Sequence, residues 1–151
     1  MTPAPIALSC GEPSGIGPEI AAKAREKLGA DCPFFWIGDP RHLPENTRIT
    51  LIEEPAAALS APVDRLPVLP LDFAEPAVAG QPSAANAAGV IGAIERAVAL
   101  VNAGEASAIC TAPIHKKALK DGAAFAYPGH TEFLAALAGV DRVVMMLACD
   151  A

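Results

Sequence analysis

Ile6-Ala7-Leu8-Ser9-Cys10-Gly11-Glu12-Pro13-Ser14-Gly15-Ile16-Gly17-Pro18-Glu19 is the stretch that decides the fold. Its first five residues are apolar or small, as a buried strand requires. Glycine and proline then turn the chain, and Pro18 opens a helical stretch that runs through Leu28 to Gly29. Pro18 suits the first helical turn, where its missing N–H is no loss, and Gly29 suits the stop. Phe34-Phe35-Trp36-Ile37 follows as a second buried strand, closed by Gly38-Asp39-Pro40. Strand, helix and strand in that order form the β-α-β unit of parallel sheets, with a right-handed crossover. The expected class is α/β.

Between residues 55 and 82 six prolines (55, 62, 67, 70, 76 and 82) deny the chain both continuous helix and central strand. That segment reads as an irregular surface excursion with short edge pieces, such as residues 68–71. Ser83 is a suitable N-cap for a long helix to about Val101, in which Val90, Ile94, Ala97 and Val101 recur at helical spacing. Gly89 and Gly92 permit close backbone approach, and Glu95 and Arg96 are its only charges, so it either packs on several sides or forms part of a subunit interface. Residues 106–111 read as a strand, 114–120 as a short helix, 131–137 as another helix and 143–148 as a final apolar strand. Such a strand normally feeds a covering helix, so the terminus looks cut and the sheet incomplete.

A length of 151 residues allows one domain or a piece of one. With 52% hydrophobic and 19% charged residues the chain must bury surface. Lys+Arg 11 against Asp+Glu 17 gives a net charge of −6, with no basic run to neutralise phosphates, which argues against nucleic acid. No unbroken apolar run approaches the roughly 20 residues of a membrane span. Without a basic, apolar leader at the start, the expected location is the cytoplasm. Cys10, Cys32, Cys110 and Cys149 form no C-x-x-C pair and are expected to be buried, reduced thiols.

Three segments carry chemistry. The Gly11–Gly17 loop precedes a helix, where N–H groups and the helix dipole favour an anion. It lacks the G-x-G-x-x-G and G-K-[ST] patterns, Glu12 and Glu19 oppose a bare phosphate, and a purely structural turn is the plain alternative. Thr111-Ala112-Pro113-Ile114-His115-Lys116-Lys117 follows a strand end, where α/β sheets place ligands; its lysines either meet a phosphate or are solvated helix residues. Tyr127-Pro128-Gly129-His130-Thr131-Glu132 sets an imidazole and a hydroxyl at a helix start, with Thr131 as a possible cap and His130 as a donor to an anion. His42, His115 and His130 have no metal-ligand spacing.

Gly11-Glu12-Pro13-Ser14-Gly15-Ile16-Gly17-Pro18-Glu19, Thr111-Ala112-Pro113-Ile114-His115-Lys116 and Pro128-Gly129-His130-Thr131-Glu132 resemble, in order, the signatures of the 4-hydroxythreonine-4-phosphate dehydrogenase family, and Met145-Met146-Leu147 is also similar. The resemblance implies an isocitrate/isopropylmalate dehydrogenase-like fold with a mostly parallel sheet and flanking helices. It implies that residues 1–151 are the N-terminal portion of a two-domain subunit. It further implies NAD-dependent, metal-assisted oxidation of 4-phosphooxy-L-threonine, followed by decarboxylation to 3-amino-2-oxopropyl phosphate in pyridoxal 5′-phosphate biosynthesis. Carried over by position, His130 and Thr131 contact substrate, and Lys116 is a further candidate. His115 stands where the family usually has Asn. The resemblance places the ligands of the metal (Zn, Mg or Co) beyond Ala151 and the active site at a homodimer interface, so this chain alone is expected to show no turnover. Two other activities stay open: a paralogue acting on threonate or erythronate 4-phosphate, and a phosphate acyltransferase of similar fold. A non-enzymatic, self-associating fragment is a third reading.

Overall fold

A computed structural model describes residues 4–29 and 31–149. Strand β1 (Ile6–Ser9), helix α1 (Gly17–Leu28) and strand β2 (Phe34–Gly38) form the β-α-β unit at the expected places. Strands β3 (Ile49–Leu51) and β4 (Leu66–Pro70) follow, then helix α2 (Ala87–Asn102), strand β5 (Ala108–Thr111) and helices α3 (Lys116–Ala123) and α4 (His130–Ala138). The sheet runs in the order β3-β4-β2-β1-β5, every neighbour parallel. From β1 the chain crosses to β2 on one side, and β5 later arrives on the other. Right-handed crossovers in opposite senses put α1 and α2 on opposite faces. The core gathers on both faces of the sheet's centre, where Phe35, Trp36 and Val68 are wholly buried, as are Ala93, Ile94 and Ala97 of α2.

β4 corrects the reading of 55–82, because it is an inner strand despite Pro67 and Pro70. Leu66 N–H donates to Arg48 and Val68 accepts from Ile52, so even positions face β3; Leu71 N–H donates to Gly38, so odd positions face β2. Pro67 faces β2 one residue before that ladder begins at Trp36 and Val68. Pro70 faces β3 after that ladder has ended at Leu51 and Val68. Neither missing N–H falls on a bond the sheet uses. β3, only three residues long, was not expected.

α2 buries Ala87, Val90, Ala93, Ile94, Ala97 and Leu100 and packs on β1, β2, β5, α3 and α4, so it is packed on several sides. Residues 84–102 have the length and composition of a membrane span, yet this apolar stripe serves as core. Ser83 accepts from Ala85 N–H at 3.2 Å and caps a 3-10 turn, Ala84–Asn86, that leads into α2. Gly29 keeps helical angles (φ −58°) instead of the left-handed stop. Its need for glycine is steric, since a β-carbon there would lie 2.6 Å from the Arg25 carbonyl oxygen.

Residues 143–148 are not a strand. Val144 is 81% and Leu147 91% exposed. A strand apolar on both faces is stabilised only when both faces are covered, and no layer covers this segment among the described residues. The cysteines are free as expected, but Cys10 alone is buried; Cys32 is half-buried, and Cys110 and Cys149 are exposed, because β5 is an edge strand and residue 149 follows the exposed segment.

Candidate functional site

The two neighbours of β1 in the sheet are β2 and β5, so the point where strand order reverses lies between β1 and β5. Loops leaving the carboxyl ends of such strands line the crevice where open α/β sheets bind ligands. Here those loops are the first two motifs. Glu12 N–H donates to the Pro113 carbonyl at 2.8 Å and Ala112 N–H to the Ser9 carbonyl at 3.4 Å. Gly11, in the left-handed region at φ +69°, has the Pro113 oxygen 2.5 Å from where a β-carbon would sit. Gly17 is equally enclosed, by the Cys10 carbonyl and by Ala112.

The first loop is therefore a structural elbow. Ser14 N–H donates to the buried Glu12 carboxylate at 3.0 Å, and Gly15 N–H to the Glu12 carbonyl at 3.0 Å. The space at Gly11 and Gly17 is filled by protein, leaving no cradle for a pyrophosphate at either, while Gly15 is exposed. Ser14 Oγ donates to the Gln81 carbonyl at 3.0 Å and Gly80 N–H to the Ser14 carbonyl at 2.8 Å, so the elbow is clamped to the proline-rich excursion. Burial pushes the Cys10 thiol up to about 12, so it stays protonated and serves packing.

The second and third motifs meet through Lys116. His115 is extended (φ −104°, ψ 94°), which starts α3 two residues later than the expected 114, and Lys116 is its first helical residue. A β-carbon on Gly129 would lie 3.7 Å from Lys116 Nζ. Gly129 is the N-cap of α4, His130 its first residue and Thr131 its second, so Thr131 is not the cap. His130 Nε2 is buried with no hydrogen-bond partner. Burial, and secondarily the Lys116 ammonium, hold this imidazole below its usual pKa, so it is neutral at pH 7. Lys117, by contrast, pairs with Asp121 one turn on and is a solvated helix residue. Phe125, Tyr127 and Phe133 pack edge to face and tilted, with centroids 5.0–5.4 Å apart, and fix the turn that presents Gly129. First-turn N–H groups of α4 have no intrahelical acceptors, so this corner sets an ammonium, a helix start and an unpaired imidazole together, with the Glu132 carboxylate beside them, its Oε2 3.8 Å from where a β-carbon on Gly129 would sit.

Sequence reasoning missed the wall at the end of β2. Asp39 takes Arg41 in a fork at 2.6 and 2.9 Å, Arg41 also donates to the Phe73 carbonyl at 2.9 Å, and Asn86 bonds both backbone groups of Glu75 at 3.1 Å. Burial pushes the Asp39 carboxyl up, but hydrogen bonds from Arg41 outweigh it and the net shift is downward. Gly38-Asp39-Pro40 looked like a mere turn, and Asp39 and Asn86 lie too far apart in sequence to signal the network.

Two clefts lie elsewhere. One of about 330 Å³ is bordered by α1 and the segments entering β3 and β4; another of about 350 Å³ lies near Pro5 and Pro55. Neither is lined by Lys116, His130 or Thr131. No group of three His, Cys, Asp or Glu side chains that could hold a metal occurs among the described residues.

The family model described as pyridoxal phosphate biosynthetic protein PdxA matches residues 30–151. Two similar curated proteins, from Ruegeria sp. and Roseobacter denitrificans, are both named 4-hydroxythreonine-4-phosphate dehydrogenase. They are 63% and 57% identical over all of this chain, which covers 47% of each. The chain thus spans about half the length of these relatives. A crystal structure of a 4-hydroxythreonine-4-phosphate dehydrogenase from Burkholderia phymatum superposes with a TM-score of 0.79 at 34% identity, covering 97% of this chain and 47% of that one. A terephthalate 1,2-cis-dihydrodiol dehydrogenase from Burkholderia xenovorans gives 0.67 at 25% identity, over 91% and 41%. With its mostly parallel α/β fold and its three motif segments joined at one sheet edge, the chain belongs to the PdxA family of pyridoxal phosphate biosynthetic proteins.

Proposed function

We propose that residues 1–151 are the N-terminal portion of a cytoplasmic, homodimeric, two-domain dehydrogenase that oxidises 4-phosphooxy-L-threonine with NAD, its product decarboxylating to 3-amino-2-oxopropyl phosphate. The observation that carries this reading is the buried, unpartnered Nε2 of His130 beside Lys116 at the start of α4. A buried polar atom without a protein partner is costly unless something else meets it. A substrate hydroxyl or phosphoryl oxygen is the partner this family's chemistry offers.

In that role the Lys116 ammonium and the first turn of α4 hold an anionic group of the substrate, and the neutral His130 ring hydrogen-bonds an adjacent oxygen. Thr131, half-buried in the same turn, supplies a hydroxyl to the same ligand. Among the described residues no group of His, Cys, Asp or Glu could hold a divalent metal, and Gly11 and Gly17 are too enclosed to cradle a pyrophosphate, so the described residues alone hold neither metal nor NAD. The chain alone accordingly binds phosphorylated substrate without reducing NAD.

Calorimetry with 4-phosphooxy-L-threonine, erythronate 4-phosphate and acetyl phosphate tests the substrate, with absorbance at 340 nm following NADH. The reading predicts preference for the first and no absorbance change. Preference for erythronate 4-phosphate supports a paralogous dehydrogenase, preference for acetyl phosphate an acyltransferase, and NADH formation by this chain overturns its dependence on further residues.

A further inference from the structure

The side chain of His115 caps the helix that follows it. His115 Nδ1 accepts a hydrogen bond from Ala118 N–H at 3.2 Å, three residues on, as the side chain of an N-cap does. Nδ1 of histidine and Oδ1 of asparagine are the same number of bonds from Cα. An imidazole with its proton on Nε2 can therefore occupy the acceptor position that an Asn cap would fill.

α3 has particular need of a cap. It is eight residues long, too short to persist by propensity, and it starts with two lysines at the positive end of its own dipole, with no acidic residue in its first turn. Its interior half is anchored by Ala118 and Leu119 against α2 and the Ala84–Asn86 turn. The first turn, where Lys116 sits, has the His115 bond as its only side-chain cap among the described residues. Lys116 in turn is the residue that lies against Gly129 and His130.

We infer that His115 is a positioning residue: by capping α3 it holds the Lys116 ammonium against the Gly129-His130 corner. This rests on the reading of Lys116 and His130 as substrate groups only for its functional meaning; the placement itself is testable without substrate.

The test is the placement of the Lys116 side chain at pH 8, above the ordinary histidine range, read as nuclear Overhauser contacts between Lys116 Hε and Gly129 Hα in the 151-residue chain and in three variants, with sheet resonances reporting the fold. His115→Ala frees the first turn and weakens these contacts at least about twofold, whereas His115→Asn, a preferred cap, keeps them. His115→Gln, whose acceptor is one bond further out, behaves as His115→Ala, and stands in for it should His115→Ala lose the sheet resonances. Native contacts in His115→Gln or His115→Ala, or weakened ones in His115→Asn, overturn the inference. Should the native chain itself show no contact between Lys116 and Gly129, the Lys116–His130 corner fails, and the proposed substrate site fails with it.

Discussion

β2 and β5 are alike in sequence and unlike in circumstance. Phe34-Phe35-Trp36-Ile37-Gly38 is buried at every position, whereas Ala108-Ile109-Cys110-Thr111 has two exposed positions and two half-buried ones. Both are short, apolar and parallel to β1. The difference is that β2 lies inside the sheet, between β1 and β4, while β5 is an edge. Register pairs Ile6 with Ala108 and Leu8 with Cys110, so these four side chains share a face, and none of them is fully buried. The exposed run from Val143 to Leu147 adds further uncovered apolar surface at this end of the chain. Apolar sequence specifies that a segment will be buried; its neighbours decide whether it is.

The sharpest break of this comparison is Trp36→Ala, expected to cost about 3–5 kcal/mol in chemical denaturation, against less than about 0.5 kcal/mol for Cys110→Ala on β5. Equal losses would mean that β5 is as enclosed as β2. Next, Gly17→Ala drives a β-carbon into the Cys10 carbonyl and Ala112. Overpacking of this kind costs about 1–3 kcal/mol, and the change also loosens the joint between the first two motifs, seen as faster amide exchange at Glu12. The uncovered surface predicts concentration-dependent self-association in sedimentation equilibrium. Val144→Lys combined with Met146→Glu reduces that association without moving the melting temperature; unchanged association would place the contact elsewhere.

The smallest effect is at His130. Its folded pKa lies below the ordinary 6.5 of the unfolded chain, so below about that pH the unfolded state takes up more protons. Stability from this group is complete above about 6.5, falls as pH drops toward the folded value, and levels off beneath it. Melting temperatures of His130→Gln across that window are expected to fall less steeply than those of the native chain.

Most of the sheet was legible, because strand, elbow and helix in residues 6–28 obey local rules that need no tertiary knowledge. β4 was not. Its two prolines violate a rule that holds for residues whose N–H the ladder needs, and only register shows that Pro67 and Pro70 stand just outside it. The strand expected at 143–148 failed for the opposite reason: its apolar pattern was read correctly, but a pattern does not supply a covering layer. At the candidate site, the segments 111–116 and 128–132 were marked by residue type. What sequence could not distinguish was Lys116 from Lys117, since adjacent positions on a helix point about 100° apart and only one faces α4. Nor could it show that the space at Gly11 and Gly17 is filled by Ala112, Pro113 and Cys10.

The central claim is that a phosphorylated ligand is received where α3 and α4 begin, on the side of β1 away from β2. Amide and imidazole shift mapping of the 151-residue chain during titration with 4-phosphooxy-L-threonine tests it directly. The account predicts saturable shifts confined to Lys116, Gly129, His130, Thr131 and Glu132, weakened at least about tenfold by Lys116→Met, the order of loss for a charge-assisted contact. Shifts centred instead on Arg25, Thr47 and Arg48 around the cleft beside α1, or none at any concentration reached, would contradict it.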